Sequence, residues 1–183
     1  MKTRLLALAL LFSTTAAHAR GVNAKFLLDL LPGITVPIAL PGYVAEAEPS
    51  FKHSIRVGAE LWFNRRFAFA GETDLDVSPM MLDSGDVMGR VRWLVGFRLV
   101  FGFGVGAFFL RHAIGLDYAT TQLRWRPSGN LSMAVEPGLG LQFRFARYGV
   151  AGFVMDFPTA FSFGGNDSFA MDVQFLGLIG VRI

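Results

Sequence analysis

Two histidines, His53 and His112, are the residues of this chain best suited to proton transfer. A serine becomes a nucleophile when a histidine accepts its proton and an acid orients that histidine. Residues that could complete such an arrangement follow the histidines or lie at or near the last predicted loop: Ser54, Asp117, Asp156, Ser162 and Ser168. The sequence pattern does not bring a set of three together, so we predict no catalytic residue.

Metal chemistry has equally little support. The chain contains no cysteine and three histidines, and one of these, His18, belongs to the N-terminal segment. Two histidines without further ligands at suitable spacing make a poor metal site. We therefore predict no metal and no cofactor.

The N-terminal residues have the layout of a secretory signal peptide. Lys2 and Arg4 precede an apolar run at 5–12, and Ala17-His18-Ala19 supplies small residues for cleavage. The apolar run is about half the roughly 20 residues that a membrane-spanning helix needs. We predict a signal peptide at 1–19, cleaved after Ala19, and a single domain at 20–183. Cleavage changes the charge balance from 17 Lys and Arg against 14 Asp and Glu to 15 against 14, which gives no support to nucleic-acid binding.

The final segment, 171–183, shows most clearly which elements must position the candidate side chains named above. Every second residue is apolar: Met171, Val173, Phe175, Gly177, Ile179, Val181 and Ile183. The intervening positions include Asp172, Gln174 and Arg182. Side chains alternate between the two faces of a strand. This strand is therefore predicted to have one face suited to hydrocarbon and one charged face.

The same alternation recurs in seven further segments, at 24–38, 54–63, 67–76, 90–99, 101–109, 135–144 and 148–157. Predicted connections are long at 41–51, 77–87, 114–130 and 158–168, and short at 64–66, near 100 and at 146–147. Short turns on one side and longer loops on the other are typical of transmembrane barrels. We predict an all-β fold, an eight-stranded antiparallel up-and-down transmembrane β-barrel. The alternative is a soluble exported β-sandwich with the aromatic face in its core.

The polar faces of the predicted strands carry six basic and six acidic residues. An eight-stranded barrel has an interior just wide enough for side chains. Charges buried there must be paired to be tolerable. We therefore predict a lumen filled by an ion-pair network of Arg56, Glu60, Glu72, Asp74, Asp76, Arg90, Arg92, Arg98, Glu136, Arg144, Asp172 and Arg182.

Aromatic residues on the opposite faces suit lipid and the interfacial girdles of a barrel. We predict that the lipid-facing residues include Trp93, Phe97, Phe101, Phe103, Phe109, Phe143 and Phe175.

Glycines and prolines modify the predicted strands. Strands five and six have inward glycines at Gly102, Gly104, Gly106, Gly138 and Gly140. These glycines either make room for arginines of strand four or leave a cavity for a lipid tail or small ligand. Pro32 and Pro137 each lack the backbone N–H that donates a hydrogen bond between strands, which predicts a bulge or a distorted strand end at both positions.

These features resemble the small eight-stranded outer membrane barrels, the class of the OmpX and OmpA membrane domains. The resemblance covers residues 24–183 and rests on the strand pattern, the terminal strand and the turns at 64–66 and 146–147. This chain ends in Ile183, where such chains usually end in an aromatic residue. The resemblance implies a monomer in the bacterial outer membrane, with outer membrane lipids, lipopolysaccharide and the barrel-assembly machinery as its partners.

The predicted function is that of a non-enzymatic barrel with a plugged lumen, which supports envelope integrity or interacts with surface ligands through its external loops. Two alternatives stay open: a lipid A-modifying acyltransferase or deacylase with its residues at the external rim, and a narrow pore. Carboxylates in the long loops could bind Ca²⁺ or bridge lipopolysaccharide through divalent cations, although solvated loops are the simpler interpretation: Glu46, Glu48, Asp83 and Asp86.

Overall fold

The computed structural model describes residues 22–39, 49–81, 87–119, 131–161 and 169–183. They form nine strand segments: β1 Asn23–Ala39, β2 Ser50–Trp62, β3 Phe67–Met81, β4 Val87–Phe103, β5 Gly106–Ala119, β6 Leu131–Arg144, β7 Gly149–Asp156, β8 Thr159–Phe161 and β9 Phe169–Arg182. The segments join into one antiparallel sheet, and β1 also pairs with β9, so the sheet closes into a barrel. Within the described ranges, no helix is long and apolar enough to cross a membrane.

Segments β7 and β8 are two parts of one barrel strand. Both keep the same register against β6 and against β9, and only the ladder between them is interrupted. The interruption lies opposite Pro137. The backbone N–H of Phe157 donates to the Pro137 carbonyl at 2.8 Å, but Pro137 has no N–H to return. The barrel therefore has eight strands, which confirms the predicted fold class.

The two ends of the barrel differ in their connections. At one end, the turn end, residues 63–66, 104–105 and 145–148 join successive strands, and β1 starts beside the end of β9. The Asn64 side chain tightens the first of these turns, since its Oδ1 accepts hydrogen bonds from the backbone of Arg66 at 2.7 Å and of Phe67 at 2.9 Å. At the other end, the loop end, most residues of the connections lie outside the described ranges.

The strand boundaries differ from the predicted ones in two ways. The short turn predicted near residue 100 lies at Gly104–Val105, where Gly104 adopts a φ of +49° that favours glycine. The predicted loops at 77–87 and 114–130 are partly strand, because β3 continues to Met81 and β5 to Ala119. Polar residues in these segments, such as Ser78 and Asp117, face the interior rather than solvent.

The prolines do not distort the barrel as predicted. Pro32 lies inside β1, opposite His53 of β2, and the register between β1 and β9 is the same on both sides of this proline. Pro137 likewise lies in register within β6. The prediction of bulges at these two prolines is wrong, because a missing N–H interrupts single ladder bonds without shifting the register. The irregularity in the β1–β9 ladder falls between Pro37 and Ala39.

The glycines have several separate roles. Gly106 packs on the outer face, where an added Cβ would lie 2.8 Å from the Phe103 ring and 3.0 Å from the Phe143 ring. Gly140 faces inward, where an added Cβ would lie 2.7 Å from the Phe153 carbonyl oxygen and also collide with the Phe109 ring. The inward glycines of β6 thus make room for Phe109 and, at Gly138, for Asp156, and not for the arginines of β4.

Apolar side chains fill part of the interior. The larger cluster of buried residues comprises Leu31, Ala68, Val100, Ala107, Phe109, Val150, Val154, Leu176 and Leu178, with the half-buried Trp62 against it. A smaller cluster comprises Leu94, Ala113 and Ala134. Leu27, Ala70, Ala160 and Val173 are also buried, and the polar remainder of the described interior forms the candidate functional site.

Candidate functional site

Strand alternation places an unusually large set of charged side chains inside the barrel. Among the described residues, seven buried bases face nine buried acids. The bases are Lys52, Arg56, Arg90, Arg92, Arg98, Arg111 and Arg182, and the acids are Asp29, Glu60, Glu72, Asp74, Asp76, Asp117, Glu136, Asp156 and Asp172. We call this set the interior network. A charge removed from water needs close partners, and the contacts below supply them.

Arg111 on β5 occupies the middle of the interior network. Its guanidinium donates to Glu72, to Glu136 and, at 2.9 Å, to Asp74, and it lies 3.9 Å from Asp156. These acids belong to β3, β6 and β7, so a single side chain connects strands on opposite sides of the barrel. A guanidinium suits this position because it offers five N–H donors in one rigid plane.

Arg56 on β2 extends the middle of the network. Its Nε donates to Asp74 at 2.6 Å, and its Nη2 donates to Asp156 and lies 3.7 Å from Glu136. Ser54, two residues earlier on the same strand, donates its hydroxyl to Asp74 as well. Asp74 therefore accepts bonds from Arg56, Arg111 and Ser54, which provides the multiple hydrogen bonds that a buried carboxylate requires.

Nearer the turn end, Asp29 on β1 binds two arginines. Arg98 approaches it at 3.2 Å, and Arg182 of the last strand donates to both of its oxygens. Arg182 also binds Glu60 at 2.9 Å, while Arg98 binds Glu72 at 2.6 Å. These contacts connect β1, β2, β3, β4 and β9 and thus tie the closing pair of strands to the rest of the barrel.

Nearer the loop end, Arg90 and Arg92 share Asp172. Their distances to this carboxylate are 2.7 Å and 3.3 Å. Arg90 also forms an ion pair with Asp117, and Arg92 reaches Glu136 at 3.0 Å. In the same region Lys52 binds Asp76 at 2.6 Å and donates to Gln174.

The interior network can crosslink the barrel wall and fill its lumen. The side chains in these ion pairs are at most 6% exposed. Every strand of the barrel contributes at least one charged member, through β1 to β7 and β9. Removing one partner of such a buried pair leaves an uncompensated charge, which costs far more than an exposed ion pair contributes.

Eleven of the twelve residues predicted for the lumen are buried in this network. The exception is Arg144, which is exposed at the turn end of β6. Arg144 is an even-numbered residue, like the inward-facing residues of β6. It is the last residue of that strand, however, so it lies at the barrel rim and is exposed to solvent.

The prediction missed five members of the network: Asp29, Lys52, Arg111, Asp117 and Asp156. The apolar–polar alternation of the predicted strand at 24–38 already indicated that Asp29 faces the interior. Asp117 and Asp156 were interpreted as residues at or near loops. β5 continues to Ala119 and so contains Asp117, and Asp156 is the last residue of β7, where its side chain is buried in the interior. The burial of Arg111 could not be predicted without the position of the turn at 104–105, because that turn decides which face of β5 is inside.

The structure separates the residues considered for catalysis. His53 and His112 are exposed on the outer face, and the His112 ring lies 6.0 Å from that of Phe97. Asp117 and Asp156 face the interior and are ion-paired there, on the other side of the barrel wall. Ser162 and Ser168 lie outside the described residues, as do Glu46, Glu48, Asp83 and Asp86. Within the described ranges, no group of three or more His, Cys, Asp and Glu residues is arranged to hold a metal ion.

Comparisons with known proteins agree on the architecture. No family model and no curated protein matches the chain. The outer membrane enzyme PagL superposes with a TM-score of 0.57 at 12% identity, over 82% of this chain and 97% of PagL. Ail, the attachment invasion locus protein of Yersinia pestis, solved with the heparin analogue sucrose octasulfate, superposes with a TM-score of 0.56 at 13% identity, over 87% of this chain and 97% of Ail. The fold is that of a small eight-stranded outer membrane β-barrel.

The outer face of the barrel is apolar and aromatic. Six of the seven aromatic residues predicted to face lipid are exposed there: Trp93, Phe97, Phe101, Phe103, Phe143 and Phe175. Phe109 was assigned to the wrong face, since it is completely buried and lies 4.4 Å below the Arg98 guanidinium. The two-residue turn pairs Phe101 with Phe108 and Val100 with Phe109, so the outward parity changes from odd on β4 to even on β5.

The likeness to PagL and Ail is a likeness of fold. One of these proteins is an enzyme and the other is named for attachment, so the outer membrane barrel by itself is compatible with either kind of function.

Proposed function

We propose that this protein is a non-enzymatic outer membrane barrel whose lumen is plugged by the interior network, and that it serves envelope integrity or surface interaction through its external loops. The observation that carries the proposal is the filled interior. A wide pore requires hydrated space along its axis, whereas this barrel has charged side chains that are almost fully buried. The eight-stranded geometry favours such filling, because the lumen is only wide enough for side chains.

The proposed location follows from the apolar outer face and from the sequence. We propose that residues 1–19, which lie outside the described residues, are a signal peptide cleaved after Ala19. The mature barrel is then a monomer inserted by the barrel-assembly machinery, with outer membrane lipids and lipopolysaccharide against its aromatic face. The turn end faces the periplasm, because barrels of this kind have short periplasmic turns and longer external loops.

The first experiment compares the outer membrane fraction on a gel in SDS with and without boiling. A folded small barrel resists SDS until it is heated, so we expect the unheated protein to migrate differently from the boiled protein. A protein that is found in the soluble periplasmic fraction and shows no such difference would contradict the proposed location.

The second experiment tests the plugged lumen. Protein that shows the heat-dependent gel shift is inserted into planar bilayers, and we expect no discrete conductance steps. Stable, ion-selective currents from this folded protein would refute the plugged lumen and favour the pore. Protein boiled before insertion is the control for leakage caused by detergent.

A third experiment separates envelope support from surface interaction. Residues 120–130, the longest stretch of undescribed residues between two strands, are replaced by a short Gly-Ser loop. If the protein acts through its loops, the variant should keep the gel shift and normal detergent resistance of the cells but lose surface binding. If it supports the envelope, deletion of the whole protein should sensitise the cells to detergent, and the loop variant should restore resistance.

The enzyme alternative has its own test. Lipid A from cells with and without the protein is compared by mass spectrometry. We expect identical lipid A in both strains. An acyl chain gained or lost only when the protein is present would overturn the non-enzymatic proposal.

A further inference from the structure

A cavity opens at the turn end of the barrel, at the opposite end from the external loops. Its volume is about 610 Å³, within the range of about 300–1,000 Å³ common for small-molecule sites. Trp62, Gly102, Ala107 and Val150 contribute to its walls. Gly102 leaves space for the indole, since an added Cβ would lie 3.2 Å from the Trp62 ring and 2.8 Å from the Arg65 carbonyl oxygen.

The cavity lining is strongly basic. Four cationic side chains face a single carboxylate there: Lys25, Arg65, Arg144 and Arg182 against Glu60. Glu60 already has two partners, since it binds Arg182 at 2.9 Å and accepts a hydrogen bond from the Trp62 indole at 3.0 Å. Among the described residues, no carboxylate forms an ion pair with Lys25, Arg65 or Arg144.

Lys25 is held close to like charges. It is half-buried and lies 5.1 Å above the centre of the Trp62 ring. The charges of Arg144 and Arg182 repel its ammonium group, and Glu60 attracts it. Cations held together without matching carboxylates are stabilised when a multiply charged anion binds between them.

We propose that this turn-end cavity binds an anion that carries a phosphate group. A phosphate oxyanion can accept charge-assisted hydrogen bonds from Arg144 and Lys25 at the same time. The aromatic wall at Trp62 provides an apolar surface for the organic part of the ligand. The ligand is either a soluble phosphate ester or the headgroup of a phospholipid, since both present the same chemistry at this end of the barrel. This inference goes beyond the proposed function, because it assigns a ligand to the turn-end mouth of the lumen, whereas the proposed function concerns envelope support or the external loops.

The test uses the full mature protein, refolded in an uncharged detergent, with glycerol 3-phosphate as the probe. Calorimetric titration should show saturable binding, and glycerol should show none. The double variant Lys25→Gln/Arg144→Gln should bind about ten-fold or more weakly, because it removes two charge-assisted contacts. Arg66→Gln is the matched control, since Arg66 lies exposed at the same end of the barrel but does not line the cavity.

A second arm distinguishes the two sources of the phosphate. The protein is placed in zwitterionic vesicles with or without phosphatidylglycerol, and the titration is repeated. Loss of probe binding with phosphatidylglycerol assigns the cavity to a lipid headgroup, whereas unchanged binding assigns it to a soluble ester.

Three results would overturn the proposal: no saturable binding in either arm, equal binding by the double variant, or an equal loss in Arg66→Gln, which would indicate surface electrostatics only. Each variant is first checked for the heat-dependent gel shift. If the double variant does not fold, the single variants Lys25→Gln and Arg144→Gln replace it. Because the titration with glycerol 3-phosphate uses detergent-solubilised protein, its outcome is independent of the conductance and loop experiments.

Discussion

Replacing Arg111 by methionine provides the most direct test of the interior network. Methionine retains most of the side-chain volume but removes the charge and all five N–H donors. In the native barrel this guanidinium donates to Glu72, Asp74 and Glu136, and its side chain is completely buried. Its loss leaves six buried bases facing nine buried acids within the described interior.

The expected cost is that of breaking a buried ion pair, about 3–5 kcal/mol of unfolding free energy. This cost arises mainly because Glu72, Asp74 and Glu136 lose a shared partner while they remain out of water. Arg111→Lys keeps the charge but loses the planar arrangement of donors, so it should cost less, roughly 1–3 kcal/mol. Arg66→Met is the control, because Arg66 is exposed in a turn and should change stability by less than about 0.5 kcal/mol.

Stability is measured by guanidinium titration in uncharged vesicles, with the folded fraction read from the unheated gel band. A second substitution, Glu72→Gln, probes the pairing itself. It removes one of the carboxylates that lose a partner in Arg111→Met, so the double variant should be roughly 1–3 kcal/mol more stable than the sum of the single effects predicts. Stability of Arg111→Met within about 0.5 kcal/mol of the native protein, or strictly additive effects, would refute the argument.

Further substitutions test the assignment of faces. Phe109→Ala should destabilise the barrel by about 3–5 kcal/mol in the same titration because Phe109 is completely buried, and a loss no greater than that of the outward-facing Phe97→Ala would place it on the outer face after all. Gly140→Val should prevent folding, seen as an absent gel shift, since its Cβ would lie 2.7 Å from a backbone oxygen and collide with the Phe109 ring; a folded variant would contradict this packing. The double variant His53→Ala/His112→Ala should leave both the gel shift and the lipid A mass spectrum unchanged, and altered lipid A in folded protein would assign the histidines a catalytic role.

The sequence was sufficient to predict the barrel itself. Alternation of the kind seen in 171–183 depends only on the geometry of a strand, in which successive side chains point to opposite faces. It therefore identified eight strands and placed eleven interior charges correctly. The prediction failed at strand ends such as Arg144, because parity determines the face of a residue but not its distance from the rim.

The ion-pair partners were decided by the tertiary structure alone. Asp29 and Arg182 are separated by 153 positions, and they meet only because β1 and β9 close the barrel. Phe109 and Arg111 became interior residues because a two-residue turn at Gly104–Val105 changed the parity of β5. A local pattern determines which face of a strand is polar, whereas closure and register determine which charges approach one another. Those are relations between strands, and they require the whole barrel to be formed.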